Sequence, residues 1–382
     1  MPITCPYCME PIDKGSVQYE CPQCGNVYKA SGLFHNKMPV CKNKAAHPST
    51  LVASVIRCPH CHERLPADYL DYDRSLKFSL VGTTNSGKTN FLVSMLHELM
   101  HAMKTGLAIS PLDTTRDYYR SFKQMEKTMF IDHQLLPATS IGVVEPYLWR
   151  IRDRNKAKGT YIPSYSLTIY DNAGESFSTL DQAENTLLAK YLCDTKTLFI
   201  LIDPLQLPSF RTRGQQDDLS SNGMEGQDAT DSVQKVASFL RTNLKLGASA
   251  LIDMNVAIIF TKIDAIGDES NGSVFGDADL IYSRGDQTHI GCYNTLKQGF
   301  EKQLAINISN SIRQYLFENE GDFLSALESS FVQNKIHYFG CSALGNPPVR
   351  DGGEVFLQHL DPIRVLDPFL WMMVQEGLIK EI

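Results

Sequence analysis

Two sets of residues in this 382-residue chain have the types and spacing to do chemistry. The first is Gly82-Thr-Thr-Asn85-Ser86-Gly87-Lys88-Thr89, a glycine-bearing run that closes on a lysine and a threonine. Such a run cradles phosphate. Its glycines let backbone amides turn toward phosphate oxygens and a following helix N-terminus adds positive dipole, while Lys88 reaches the β and γ phosphates and the Thr89 hydroxyl ligates magnesium. The second set is three copies of Cys-Pro-x-Cys at Cys5–Cys8, Cys21–Cys24 and Cys58–Cys61, each a tight knuckle that turns two thiolates toward one tetrahedral ion. Seven of the ten cysteines lie before residue 62, and only Cys193, Cys292 and Cys341 follow. Metal chemistry and phosphate chemistry therefore occupy different parts of the chain.

Cys5, Cys8, Cys21 and Cys24 make a four-cysteine zinc site across a twelve-residue spacer, with Gly25 suited to the turn of the knuckle. Cys58 and Cys61 then need two more ligands. Cys41 and His47 are the natural candidates, and His35, His60 or His62 could replace His47. Cys5-Pro-Tyr-Cys-Met-Glu-Pro and Cys58-Pro-His-Cys-His-Glu-Arg-Leu-Pro also read as copies of each other, which leaves an interleaved pairing of the knuckles open. Two zinc ions per chain are expected either way. Residues 1–70 hold seven Lys or Arg and five Asp or Glu. Seven thiolates less two zinc ions bring that difference of +2 to about −1, a poor surface for nucleic-acid phosphate. The ribbons are expected to be structural or protein-binding.

The base that accompanies the phosphates is set further along. Val256-Ala-Ile-Ile-Phe260 reads as a buried strand delivering Thr261-Lys262-Ile263-Asp264, and the Asp264 carboxylate can accept from both N1–H and the exocyclic amine of guanine. Adenine offers the wrong donors and would leave that carboxylate unpaired, the kind of penalty that discriminates strongly. Leu167-Thr-Ile-Tyr170 is a second strand, delivering Asp171 to hold magnesium through water and Gly174 to meet the γ phosphate. A third, Ile336 to Phe339, runs into Ser342-Ala343-Leu344, whose backbone amide would sit beside the guanine carbonyl.

These residues need a scaffold that brings strand ends together. Leu76, Phe78 and Leu80 alternate as the strand before Gly82, and Leu92, Met95, Leu96, Leu99 and Met103 recur at helical spacing after Thr89. Four motifs, each at the carboxyl end of an expected strand, fit an α/β domain with a central, mostly parallel sheet. The organisation read from the chain is a double zinc-ribbon module over 1–70 and a P-loop domain over 75–382. Inserts fall at about 105–138, 205–232 and 265–292. A net charge of −7 gives no global reason to bind nucleic acid or an anionic membrane. No apolar run approaches the roughly 18 to 20 residues of a membrane span, and no signal pattern opens the chain. A cytoplasmic protein without membrane insertion is expected.

Residues 75–382 resemble the Ras-like GTPases of the translation-factor class. Gly82 to Thr89 looks like the first G motif, Asp171 to Gly174 the third, Thr261 to Asp264 the fourth and Ser342 to Leu344 the fifth. The fusion to zinc ribbons is also similar to the bacterial double-GTPase proteins of conflict or defence operons. The resemblance implies GTP or GDP with magnesium, slow hydrolysis, a molecular switch, and a protein effector or activator. A homodimer or pairing with another GTPase stays open. It also implies a switch threonine over the metal and γ phosphate, for which Thr139 fits best, with Ser140 and Thr160 as alternatives. Glu175 stands where the family usually has a glutamine to orient the attacking water, and no arginine precedes Thr139. In the Era and TrmE branch an asparagine at the position of Asn85 ligates potassium; the plainer reading is that Asn85 tightens the loop.

Within the inserts, Thr115 to Phe130 reads as a helix with Tyr118, Phe122, Met125 and Met129 on one stripe, packed on the domain or, as the alternative, binding an effector. Asp203 to Asp231 reads as a polar, mobile loop, and a helix is expected from about Tyr293 to Phe317. Phe369-Leu-Trp-Met-Met-Val374 is apolar around most of a helix and is expected in the core, with a partner surface as the alternative. Two rival functions remain: a GTP-dependent scaffold that does not hydrolyse, and a nucleic-acid or ribosome-associated GTPase that uses its ribbons.

Overall fold

Short strands are what a small segment without a large apolar core forms. The first seventy residues carry β1 (Ile3–Thr4), β2 (Pro11–Ile12), β3 (Gln18–Glu20), β4 (Val27–Lys29), β5 (Val55–Arg57) and β6 (Arg64–Leu65). β1 and β2 form one hairpin, and the rest form an antiparallel sheet in the order β4-β3-β5-β6. Their own small core comprises Ile12, Val17, Tyr19, Ile56, Leu65, Tyr69 and Leu70 with Cys5 and Cys58. The buried Glu20 on β3 accepts from Arg57 on β5 and Arg64 on β6 and clasps three strands.

The structure is a computed structural model of the chain. It describes all residues except 1–2, 14, 30–37, 44, 48–50, 84–85, 103–104, 114–115, 137–145, 172–181, 212–228, 268–274, 276–280, 282–287 and 352–353.

A single turn at Tyr69–Asp71 leads into the large domain. Its strands are β7 (Arg74–Gly82), β8 (Leu107–Pro111), β9 (Tyr147–Asp153), β10 (Ser164–Asp171), β11 (Thr197–Ile202), β12 (Asn255–Phe260), β13 (His289–Ile290), β14 (Tyr293–Asn294), β15 (Gly299–Phe300), β16 (Ile336–Gly340), β17 (Val349–Asp351) and β18 (Glu354–Phe356). Seven of them form one sheet in the order β16-β12-β11-β7-β10-β9-β8. Every neighbour from β16 to β10 is parallel; β9 runs antiparallel to both β10 and β8. All six residues of β11 are buried, which requires a covering layer on both faces of the sheet.

The helices are α1 (Lys88–His101), α2 (Asp117–Phe130), α3 (Gln182–Asp194), α4 (Ala229–Asn243), α5 (Lys302–Asn319), α6 (Gly321–Glu328) and α7 (Asp367–Gln375). α1 packs on β7 and β8, α3 on β7, α5 on β16 and α7 on β12. Phe78 sits at the centre of the core, stacked on Phe199 at 4.5 Å and edge-on to Phe369 of α7 at 6.4 Å. Among the described residues no helix is long and apolar enough to cross a membrane.

The expected helices are placed with two corrections. α2 buries Tyr118, Phe122 and Met129, and Phe122 meets Trp149 of β9 edge-on at 5.1 Å, so the stripe is domain packing. α7 buries Phe369 to Met373 on all sides, as its composition requires. The helix expected from Tyr293 begins at Lys302, because Tyr293–Asn294 and Gly299–Phe300 pair as strands. The Asn294 side chain accepts from the amides of Leu296 and Lys297, and Gln298 is left-handed at φ 52°, a turn that no helix can run through. The start of the Asp203–Asp231 segment is ordered: Asp203 caps a turn at Pro204–Gln206, and Phe210 is buried in the short helix Pro208–Arg211. Its polar stretch, 212–228, lies outside the described residues.

Candidate nucleotide site and metal centres

The carboxyl ends of β7, β10, β11, β12 and β16 open on one edge of the sheet, where open α/β sheets hold ligands. Gly82 ends β7 where no side chain fits: a Cβ there would lie 2.6 Å from Ser86 Oγ and 2.7 Å from the Leu201 carbonyl. Gly87 caps α1 in the left-handed region at φ 72°, so Lys88 and Thr89 form the first turn and their amides face the loop. The Thr261 hydroxyl donates to Ser86 O at 2.8 Å and ties the end of β12 to the phosphate loop.

On the base side, Lys262 is left-handed at φ 54°, and its ammonium donates to Asp203 Oδ2 at 2.6 Å. The half-buried Asp264 accepts from the Ser342 hydroxyl, which in turn accepts from the amides of Leu344 at 3.3 Å and Gly345 at 2.8 Å. Burial pushes the Asp264 carboxyl above its usual range, and the Ser342 bond only partly opposes that. A carboxylate raised in this way gains from further donors. Ser94 of α1 donates to the Ala343 carbonyl at 2.8 Å and holds the Ser342–Leu344 turn against the helix that starts at Lys88.

The site fits a magnesium-bound phosphate chain by what it leaves unpaired. Asp171 Oδ1 is buried and finds no hydrogen-bond partner among the described residues, and neither do Thr83 Oγ1, Ser86 Oγ and Asn90 Oδ1. Buried polar atoms are normally paired, so four around one loop mark a missing polar ligand. Burial raises the Asp171 carboxyl and the Lys88 ammonium beside it opposes the shift, as two groups sharing a polyanion and its cation would.

Gly82, Ser86, Gly87, Lys88, Thr89, Asp171, Thr261, Lys262, Asp264, Ser342, Ala343 and Leu344 thus fall on one edge of the sheet. Asn85, Thr139, Gly174 and Glu175 lie outside the described residues. Three residues escape a motif reading: Thr83, Asn90 and Asp203. Asp203 follows β11 as Asp171 ends β10, and position after a strand was the signal that could have found it.

The metal ligands separate into two sets whose donor atoms lie within 4.8 Å of one another: Cys5, Cys8, Cys58 and Cys61, then Cys21, Cys24, Cys41 and His47. Cys5 and Cys61 sulfurs are 3.7 Å apart, Cys8 and Cys58 3.8 Å, and Cys24 and Cys41 3.5 Å. A tetrahedron with zinc–sulfur bonds of about 2.3 Å has edges of about 3.8 Å, so both sets have the size of a structural zinc site.

This corrects the pairing of Cys5 and Cys8 with Cys21 and Cys24: the interleaved arrangement holds. β3 lies between β4 and β5, which puts the Cys21 knuckle on the far side of the sheet. There the loop closed by the Val40–Val52 bridge supplies Cys41 and His47. All three knuckles share one backbone form. The first cysteine's amide donates five residues ahead and its carbonyl accepts from four ahead. The residue after the second cysteine is left-handed, at φ 63° for Met9, 70° for Gly25 and 61° for His62. The glycine expected to mark one knuckle therefore marks a conformation that methionine and histidine also adopt.

The profile of the family described as Double-GTPase 2 matches residues 78–313, more than half of the chain. No curated protein matches it. Solved structures similar to it include the S. cerevisiae Ski7 GTPase-like domain bound to GDP and inorganic phosphate, 12% identical over 81% of this chain and 51% of that one, with a TM-score of 0.36. The Arl6 BBS3 small GTPase from Trypanosoma brucei with bound nucleotide analogue GppNp is 11% identical over 79% of this chain and 98% of that one, with a TM-score of 0.31. The chain spans about half the length of the Ski7 structure.

Proposed function

We infer that this chain, which belongs to the Double-GTPase 2 family, binds guanine nucleotide and hydrolyses GTP slowly to GDP and phosphate, as a switch read by a protein partner. The observation that carries the reading is the set of unpaired buried oxygens on Thr83, Ser86, Asn90 and Asp171 around the loop that Lys88 closes. In this reading Lys88 sits against the β and γ phosphates, and Thr89, Thr139 and Asp171 hold magnesium. The metal, when bound, neutralises the charge between those phosphates. Glu175 positions the attacking water, and Gly174 meets the γ phosphate with its amide. Thr261 and Lys262 buttress the base pocket, Asp264 accepts from guanine, and the Ser342–Ala343–Leu344 turn faces its carbonyl. Zinc fills the two cysteine-rich sets and holds residues 1–70 as a unit beside the domain of 75–382.

The test is base discrimination. The native protein should bind GDP far more tightly than ADP, and Asp264→Asn should weaken GDP by about 1.5–3 kcal/mol, roughly 10- to 150-fold, while relaxing the preference. Equal affinity of the native protein for the two bases would remove Asp264 from the role.

Asn85 carries a separate prediction. As a potassium ligand it makes hydrolysis faster in potassium than in sodium, and Asn85→Ala removes that difference without removing GTP binding. Equal native rates in the two salts assign Asn85 to the loop itself.

A further inference from the structure

β10, through Tyr170, and α3, through Tyr191, are both fastened to one tetrapeptide, Cys5–Cys8. Tyr170 immediately precedes Asp171 at the end of β10, and successive strand side chains point to opposite faces. Asp171 turns toward the phosphate loop, and Tyr170 turns toward the first knuckle. Its hydroxyl donates to the Pro6 carbonyl at 3.2 Å and lies 2.8 Å from Met9 Sδ. Near the C-terminal end of α3, Tyr191 donates to the Tyr7 carbonyl at 3.0 Å, and Lys190 pairs with Glu10 at 2.8 Å. The two tyrosine rings stack at 4.0 Å, and with Met9 they form a small buried cluster of their own. Both accepting carbonyls lie between Cys5 and Cys8, inside the turn that Cys58 and Cys61 complete as a metal site. The N-cap of α2 reaches the same turn, with the Arg116 guanidinium 5.1 Å over the Tyr7 ring.

We propose that Tyr170 and Tyr191 are positioning residues through which the Cys5–Cys8–Cys58–Cys61 metal site sets the aim of Asp171 and the placement of α3. The proposal rests on the nucleotide reading of Asp171. A knuckle fixed by its ion presents the Pro6 and Tyr7 carbonyls at fixed points, so the tyrosine hydroxyls hold β10 and α3 in the register that turns Asp171 inward. Loss of the ion frees the tetrapeptide and lets the two carbonyls that these hydroxyls reach shift. Coupling between sites is reciprocal: a metal-bound nucleotide that draws on Asp171 must also steady the knuckle. The ribbon is then part of the nucleotide machinery and not a passive appendage.

The experiment uses the zinc-loaded full chain with Tyr170→Phe and Tyr191→Phe, which keep the rings and remove the hydroxyls. Release of a fluorescent GDP analogue is followed in excess EDTA and across a magnesium titration. The expected result is an unchanged rate in EDTA, where loop and base contacts act alone, with the magnesium needed for half-maximal slowing raised about fivefold or more in each variant. Zinc released to a chelator should be slower with magnesium and a non-hydrolysable GTP analogue than without nucleotide, and the variants should lose that difference while retaining two zinc ions. An unchanged magnesium dependence in both variants, or native zinc release that ignores nucleotide, overturns the proposal. Should a variant unfold, Glu10→Lys replaces it, reversing the exposed Glu10–Lys190 pair without touching the core; the same direction with a smaller shift is expected, and no shift overturns the proposal. Failure of the underlying reading looks different, because the native protein then binds no guanine nucleotide even in EDTA.

Discussion

Lys88→Ala will abolish GTP hydrolysis while the domain stays folded. Lys88 is the first residue of α1, close enough to Asp171 to oppose part of the rise that burial imposes on its carboxyl, and its side chain is only half-buried, so truncation leaves no large cavity. What is lost is a fixed positive charge at the phosphates, where one preorganised donor is worth roughly 10²–10³ in rate. The native rate is expected to be low. Glu175 adds negative charge where the family usually has a neutral glutamine, and no arginine stands before Thr139, so a rate on the order of 10⁻⁴ to 10⁻² per second is expected from unassisted turnover. A hundredfold fall takes the variant below detection. Single-turnover release of phosphate with purified native and variant protein, alongside their thermal melts, decides it. Equal rates would mean that the activity does not reside at this loop, and a folded native protein that binds GTP but releases no phosphate over hours would be the non-hydrolysing scaffold. A native rate above about one per second without partner or potassium would reveal a catalytic group that the motifs miss.

The nucleotide face was legible because its chemistry is local. A glycine that a Cβ would drive into Ser86 and Leu201, a lysine opening a helix and an aspartate ending an apolar strand each leave a short signature, and a mostly parallel sheet follows from four such strand ends, though its strand order does not. What sequence could not supply was long-range. The start of α5 depended on an asparagine side chain closing a turn at Leu296 and Lys297, which no apolar period records. Asp203 became part of the site only through the Lys262 ammonium, 59 residues away along the chain. The docking of the first knuckle on Tyr170 and Tyr191 left no trace in spacing, because a tyrosine before Asp171 reads as an ordinary strand residue until its hydroxyl is seen against Pro6.

Cys58→Ser will take one zinc ion from each chain and loosen the opening residues rather than the middle of the ribbon module. The two pairings make opposite forecasts for this substitution. Were Cys5 and Cys8 joined to Cys21 and Cys24, losing Cys58 would spare all four and strip Cys41 and His47 of their ion. In the interleaved arrangement Cys58 lies 3.8 Å from Cys8, and its loss leaves Cys5, Cys8 and Cys61 as a broken site while Cys21, Cys24, Cys41 and His47 keep theirs. The effect should be large, because a structural zinc site contributes on the order of 10–16 kcal/mol to the fold it closes and the apolar core around Ile12, Ile56 and Leu65 is small. Peptide-resolved alkylation reads the result directly. Cys5, Cys8 and Cys61 should become reactive, and Cys21, Cys24 and Cys41 should stay protected until a chelator removes the remaining ion. Protection that instead persists at Cys5 and Cys8 and is lost at Cys41 would restore the sequential pairing, and with it a first knuckle bound to β3 rather than to the hairpin of β5 and β6.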